Sequence, residues 1–151
     1  MRARRSEQQN LTMDLRKLSL KILPGRMAVC RFEPTAPLPD SIAEAGFYSL
    51  TRTEAELTIV CPEAHLAPGT TSEVGWRCFK VRGLLDFSEI GIIFSVTRPL
   101  AENGVSVFII STFSTDYFMV KENDLAKAID VLTAEGHQVD SEDRGQRTDD
   151  R

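Results

Sequence analysis

The residues from Gly75 to Val139 follow a β-α-β-β-α-β order with a chemical marker at every turn, and that pattern restricts the chain more than any other feature. Trp76 to Arg82 (WRCFKVR) mixes alternation with bulk, as a central strand covered by helices does. From Ser88 to Asn103 the residues Ile90, Ile93, Phe94, Thr97, Leu100 and Ala101 recur at helical spacing, and Ser88 is placed to cap the first free N–H groups. Pro99 removes one backbone bond, which predicts a kink or a loosened last turn before Asn103-Gly104 closes the helix. Val105 to Ser111 reads as a second strand, Thr112 to Thr115 as a hairpin turn, and Asp116 to Lys121 as a third strand. Asn123 then caps a helix carrying Leu125, Ala128, Ile129 and Leu132, Gly136 stands at its end, and His137 to Val139 returns as an edge strand. Trp76 and Phe94 are expected in the core.

A unit of this order folds as a four-stranded antiparallel sheet with both helices on one face and its first and third strands central. The first two strands then run parallel, so the loop after the first (Gly83 to Ser88) and the hairpin after the second (Thr112 to Thr115) emerge at one rim. Asp86 and Ser88 stand at a helix start, where free amides and the dipole favour an anion, while the hairpin offers hydroxyls and the Asp116 carboxylate. A zwitterion such as a free amino acid matches that pair of sites. Plainer roles use the same groups: Asp86 and Ser88 as caps, Ser111, Thr112 and Thr115 as turn residues, Asp116 as a strand start.

The first half is strand-rich. Leu18 to Leu23 alternates, Pro24-Gly25 marks a turn, and Met27 to Phe32 follows, which predicts a hairpin. Three prolines between Glu33 and Asp40 exclude regular pairing; Asp40 to Ala45 reads as a helical turn, and Phe47 to Arg52 and Leu57 to Cys61 as further strands. The expected organisation is a disordered extension over 1–16, a degenerate first module over 17–66, a linker over 67–74, the complete module over 75–140, and a disordered acidic tail over 141–151.

Composition narrows the partners. With 42% hydrophobic residues and a net charge of −4, the chain suits a globular fold and supplies no positive field for a phosphate backbone, so nucleic acid is not expected. No apolar run approaches the ~20 residues that span a bilayer, and a soluble cytoplasmic protein without a membrane partner is the expectation. Cys30, Cys61 and Cys78 lie singly in apolar strand runs and read as buried free thiols; Cys61 and His65 lack the second pair of ligands that zinc requires. Neither a metal nor a cofactor is expected. No Ser/His/Asp order, paired carboxylates or phosphate-cradling glycine loop stands out, so no catalysis is expected.

The runs ILPGRMAVCRF, FYSLTRTEAELTIVCPE, GWRCFKVRG, LDFSEIGIIFSVTRPLAENGVSVFIISTFSTDYFMV and DLAKAIDVLTAEGH resemble the small tandem ACT-domain proteins, which are similar to one half of the CASTOR-type arginine sensors. The resemblance covers Leu18 to His137. It implies an α+β fold of two ferredoxin-like βαββαβ modules side by side, the first degenerate, and regulation by a bound amino acid or similar metabolite. The ligand residues it implies are Asp86, Ser88, Gly91, Ile92, Ser111, Thr112, Thr115 and Asp116. A glycine at 91 inside a helix costs about 1 kcal/mol relative to alanine, which a close approach by ligand or neighbouring domain would explain. A homodimer or a separate regulated protein is the macromolecular partner it implies. The alternative is a ligand-free interaction module that pairs through exposed sheet edges.

Overall fold

The structure, a computed structural model, describes residues 17–82 and 91–141. The elements in chain order are β1 (Ser19–Ile22), β2 (Met27–Phe32), α1 (Asp40–Ala43), β3 (Ser49–Arg52), β4 (Leu57–Pro62), β5 (Ser72–Val81), α2 (Ile92–Glu102), β6 (Phe108–Ser111), β7 (Asp116–Lys121), α3 (Leu125–Ala134) and β8 (Gln138–Ser141). All of the strands join one eight-stranded sheet in an α+β arrangement. Its second half is the ferredoxin-like unit β5-α2-β6-β7-α3-β8; its first half is strand-rich and has one short helix.

β5 organises the sheet because it is long enough to serve both halves. One edge pairs with β7, from Trp76↔Lys121 to Lys80↔Tyr117. The other edge pairs first with β2 (Met27↔Trp76) and then with β1 (Ile22↔Phe79), all antiparallel. β1 and β2 therefore lie end to end against β5, and the hairpin expected at Pro24-Gly25 does not form. The chain bends at that turn without reversing, since the Leu23 N–H stays on β5 through the Cys78 carbonyl at 2.9 Å. β5 starts at Ser72, within the segment read as a linker, and Gly75 at φ 80° sits beside a register shift between Met27 and Val29, as a bulge does.

A second departure concerns β8. It pairs in parallel with β1 (Leu20↔Val139), so β1 is inserted between β5 and the returning strand instead of leaving them as neighbours. The alternation of β1 explains the insertion: Leu20 and Ile22 are buried on the helix-covered face and complete its core.

That core lies between the sheet and the helices α2 and α3, with Phe79 and Phe118 stacked at 4.6 Å and Leu100, Val96, Ala128 and Leu132 descending from the helices. Each large side chain fully buried here stabilises by about 1.5–3 kcal/mol. The buried stripe of α2 is Ile92, Ser95, Val96, Pro99 and Leu100, one step round from the expected face, and Phe94 is 51% exposed. Ser95 is tolerated inside because its hydroxyl donates to the Ile92 carbonyl at 2.7 Å. Pro99 does not end the helix, which continues to Glu102. On the opposite face Trp76, Cys78 and Met119 pack with Met27, Val60 and Ile110, and a third cluster, around Cys30, Ile59 and Cys61, is covered by Ile42 of α1 and by Leu38.

Candidate functional site

β5 and β6 are both antiparallel to β7, so they are parallel to each other and end at the same rim. The contact is direct: the Thr115 hydroxyl donates to the Val81 carbonyl at 2.7 Å, and Thr115 is buried. The turn itself is closed by the Thr112 N–H donating to the Thr115 carbonyl at 2.8 Å, by the Thr112 hydroxyl donating to the same carbonyl at 3.0 Å, and by the Thr115 N–H donating to the Thr112 hydroxyl at 3.2 Å. Phe113 at its tip is 84% exposed. The hydroxyls of Thr112 and Thr115 thus hold the hairpin in place rather than standing free.

Ser111 and Asp116 face each other across the ladder just below this turn. Asp116 is half-buried, and among the described residues its carboxylate has neither a hydrogen bond nor an ion pair. An acceptor-only group without a protein donor, beside a rigid turn, is suited to a cationic group brought by a ligand.

The helix side of the rim begins at Gly91, which precedes α2 in the left-handed conformation with φ 82°. The helix therefore starts at Ile92 and does not run through Gly91 from Ser88; the glycine is required by its backbone angle, not by helix packing. Gly91, at the N-cap, has no side chain with which to cap the α2 amides. Ile92 is buried in the core cluster that also contains Val81, so its side chain is structural and only its backbone faces the rim. Asp86 and Ser88 lie outside the described residues, and with them the expected approach of Ser88 to Asp116. The structure brings together Ser111, Thr112, Thr115 and Asp116 at the end of β5, and places Gly91 and Ile92 at the helix start.

Sequence reasoning missed two contributors. Arg82, at the last position of the WRCFKVR run, follows β5 at this rim and pairs with Asp140 at 3.2 Å. Its signal was a cation at a strand end, unreadable without knowing that β8 returns beside β1. The second is the Val81 carbonyl, a backbone acceptor with no sequence signal. Among the described residues no group of three or more His, Cys, Asp or Glu side chains is arranged to hold a metal, and no helix is long and apolar enough to cross a membrane.

This geometry, with both helices on one face of a sheet and a rim of loop and hairpin, defines the class of the ACT-domain folds. A family model for the ACT domain matches residues 71–134, from the approach to β5 to the end of α3, and a model for an N-terminal domain matches residues 25–68. Residues 71–134 thus form an ACT domain. The chain is similar to the Agobacterium tumefaciens protein Atu0741, whose crystal structure shares 38% identity and a TM-score of 0.79 over 83% of this chain and 94% of that one. It is also similar to the human cytosolic arginine sensor for mTORC1 subunit 1, at 31% identity over 107 residues, 65% of this chain and 31% of the sensor. The match to the rat sensor is 32% over 99 residues, 65% of this chain and 29% of the relative. The chain thus spans about three tenths of the length of the curated relatives it matches. The regulatory subunit of aspartate kinase from Thermus thermophilus shares the fold, with a TM-score of 0.54 at 10% identity over 78% of this chain and 95% of that one.

Proposed function

We propose that this chain is a non-catalytic regulatory protein of the cytoplasm that binds a free amino acid at the rim between the end of β5, the start of α2 and the β6–β7 hairpin. The single observation that carries this reading is the half-buried Asp116 carboxylate, which has no partner among the described residues and stands beside a turn anchored to β5. The ligand's amine meets Asp116, with Ser111 opposite. Its carboxylate meets the amides that follow Gly91, where a helix start favours an anion. Asp86 and Ser88 complete that side, Thr112 and Thr115 hold the hairpin, and Ile92 contributes backbone. The related proteins named as arginine sensors support the ligand class. The bound state is read by a second copy of the chain or by a separate regulated protein.

Thermal unfolding of the full chain with each of the common amino acids tests this. A ligand at one hundred times its dissociation constant adds about 2.7 kcal/mol of stability, well within detection. Asp116→Asn, which removes charge from a group without a partner among the described residues, is expected to leave the unliganded melting temperature unchanged and to abolish the ligand-induced rise. A rise of equal size in both proteins, or none with any amino acid, overturns the assignment.

A further inference from the structure

A cavity of about 210 Å³ lies away from the helices, between β6 and the β3–β4 hairpin. Its two walls are built differently. Ser49 and Thr51 of β3 and Thr58 and Val60 of β4 line it as alternate residues, which is how the face of a hairpin is presented. Every residue of β6, from Phe108 to Ser111, lines the other wall. A run of consecutive residues is how a strand's edge is presented. The sheet has curled until the open edge of β6 looks onto the concave face of the β3–β4 hairpin.

The register identifies the backbone groups on that edge. Thr112 and Thr115 form a hydrogen-bonded pair, and such pairs alternate along an antiparallel ladder, so Ile110↔Tyr117 and Phe108↔Met119 exchange bonds. The N–H and C=O groups of Ile109 and Ser111 therefore point away from β7, into the cavity. Two donors and two acceptors at strand spacing face a wall carrying the hydroxyls of Ser49, Thr51 and Thr58. Among the described residues no charged side chain lines the space, which disfavours a zwitterion or an ion there.

We infer that this groove receives an extended, uncharged segment of a partner protein, which adds to β6 as a strand by pairing with Ile109 and Ser111 and turns small side chains such as Gly, Ala, Ser or Thr toward the β3–β4 face. Backbone pairing supplies the attraction, and the narrow neutral wall supplies the selection. The inference stands apart from the amino-acid site on the rim, although Ser111 borders both.

Amide exchange on the full chain, read residue by residue by NMR, tests it with a blocked peptide of sequence Thr-Val-Ser-Val-Thr as the probe. In the free protein Ile109 and Ser111 are expected to exchange much faster than Phe108 and Ile110. Millimolar peptide is expected to slow Ile109 and Ser111 at least tenfold and to shift the emission of Trp76, the single tryptophan, which packs edge-on against Phe108 at 6.0 Å. An analogue with a central proline, which cannot continue the ladder, is expected to do neither. Ser49→Phe fills the groove and is expected to remove the response; Thr51→Phe, at an exposed position, serves if Ser49→Phe does not fold. The inference is overturned if the peptide leaves both amides unchanged, if the groove-filled variants respond like the original, or if free amino acids protect these amides where the peptide does not.

Discussion

His137 donates its Nε2–H to the Ser95 carbonyl at 3.0 Å, and that carbonyl is the one Pro99 leaves without a helical donor four residues on. The other ring nitrogen, Nδ1, accepts the Leu18 N–H at 3.0 Å, which fixes the neutral tautomer and ties the entry to β1 to the entry to β8. One buried imidazole thus repairs a proline inside α2 and holds the inserted strand. Replacing His137 by Ala strands a buried carbonyl and a buried N–H, and is expected to cost roughly 2–4 kcal/mol in urea unfolding. In a Pro99→Ala background the restored N–H at position 99 satisfies Ser95, so His137→Ala should cost about 1 kcal/mol less there. Equal costs in the two backgrounds would refute the link.

That relationship shows where sequence reading succeeded and where it stopped. The elements of the second half were legible because Phe79, Val81, Phe118 and Val120 alternate, and because Ala128 and Leu132 repeat at helical spacing. The meeting of the hairpin with the end of β5 followed from strand directions alone. The destination of β1 was not legible. LSLKIL is an equally good strand beside β2 or between β5 and β8, and only the tertiary demand for Leu20 and Ile22 in the helix-covered core decides. The one-step rotation of α2 was missed because Ser95 reads as a surface residue until its hydroxyl is seen bonding within the helix. Pro99 read as a kink or a loosened last turn because its compensating donor, His137, lies 42 positions from Ser95 in sequence.

Gly91 is held at φ 82°, directly before α2. A side chain with a Cβ in the left-handed region costs roughly 1–2 kcal/mol. Gly91→Ala is expected to lose that amount in chemical denaturation, while Gly91→Asn, whose side chain tolerates this region better, should lose less. If Gly91→Ala proved as stable as the original, the backbone at the start of α2 would have to differ from that described.

Thr115 joins the hairpin to β5 through one hydroxyl. Thr115→Val keeps the shape and removes the donor, leaving the buried Val81 carbonyl without it, at an expected cost of about 1–3 kcal/mol. Thr115→Ser retains the bond and should recover most of that loss. Hydrogen exchange at the hairpin amides distinguishes the two, since Thr115→Val should accelerate exchange from Thr112 to Asp116 more than in the remote β2–β4 ladder.

Cys78 provides a prediction against pH. Burial pushes its thiol from an ordinary value of 9.0 up to about 12, because no neighbour compensates a thiolate between Trp76 and Met119. The native protein therefore keeps this proton up to about pH 12, whereas the unfolded chain releases it near pH 9. The stabilisation by the neutral thiol is complete below pH 9 and is lost as pH rises across that window, at about 1.4 kcal/mol per pH unit. Cys61 is raised as well, by its hydrogen bond to Cys30 and by burial, and Tyr117 is raised by burial, so the original protein loses stability in alkali through several groups. The contribution of Cys78 is isolated by difference. Cys78→Ala should be less stable than the original at pH 8, where it lacks only packing, and the gap should narrow steadily by pH 11. A gap that stays constant from pH 8 to 11 would mean that the thiol ionises as readily in the fold as in the open chain, and that the face of β5 opposite the helices is open to water.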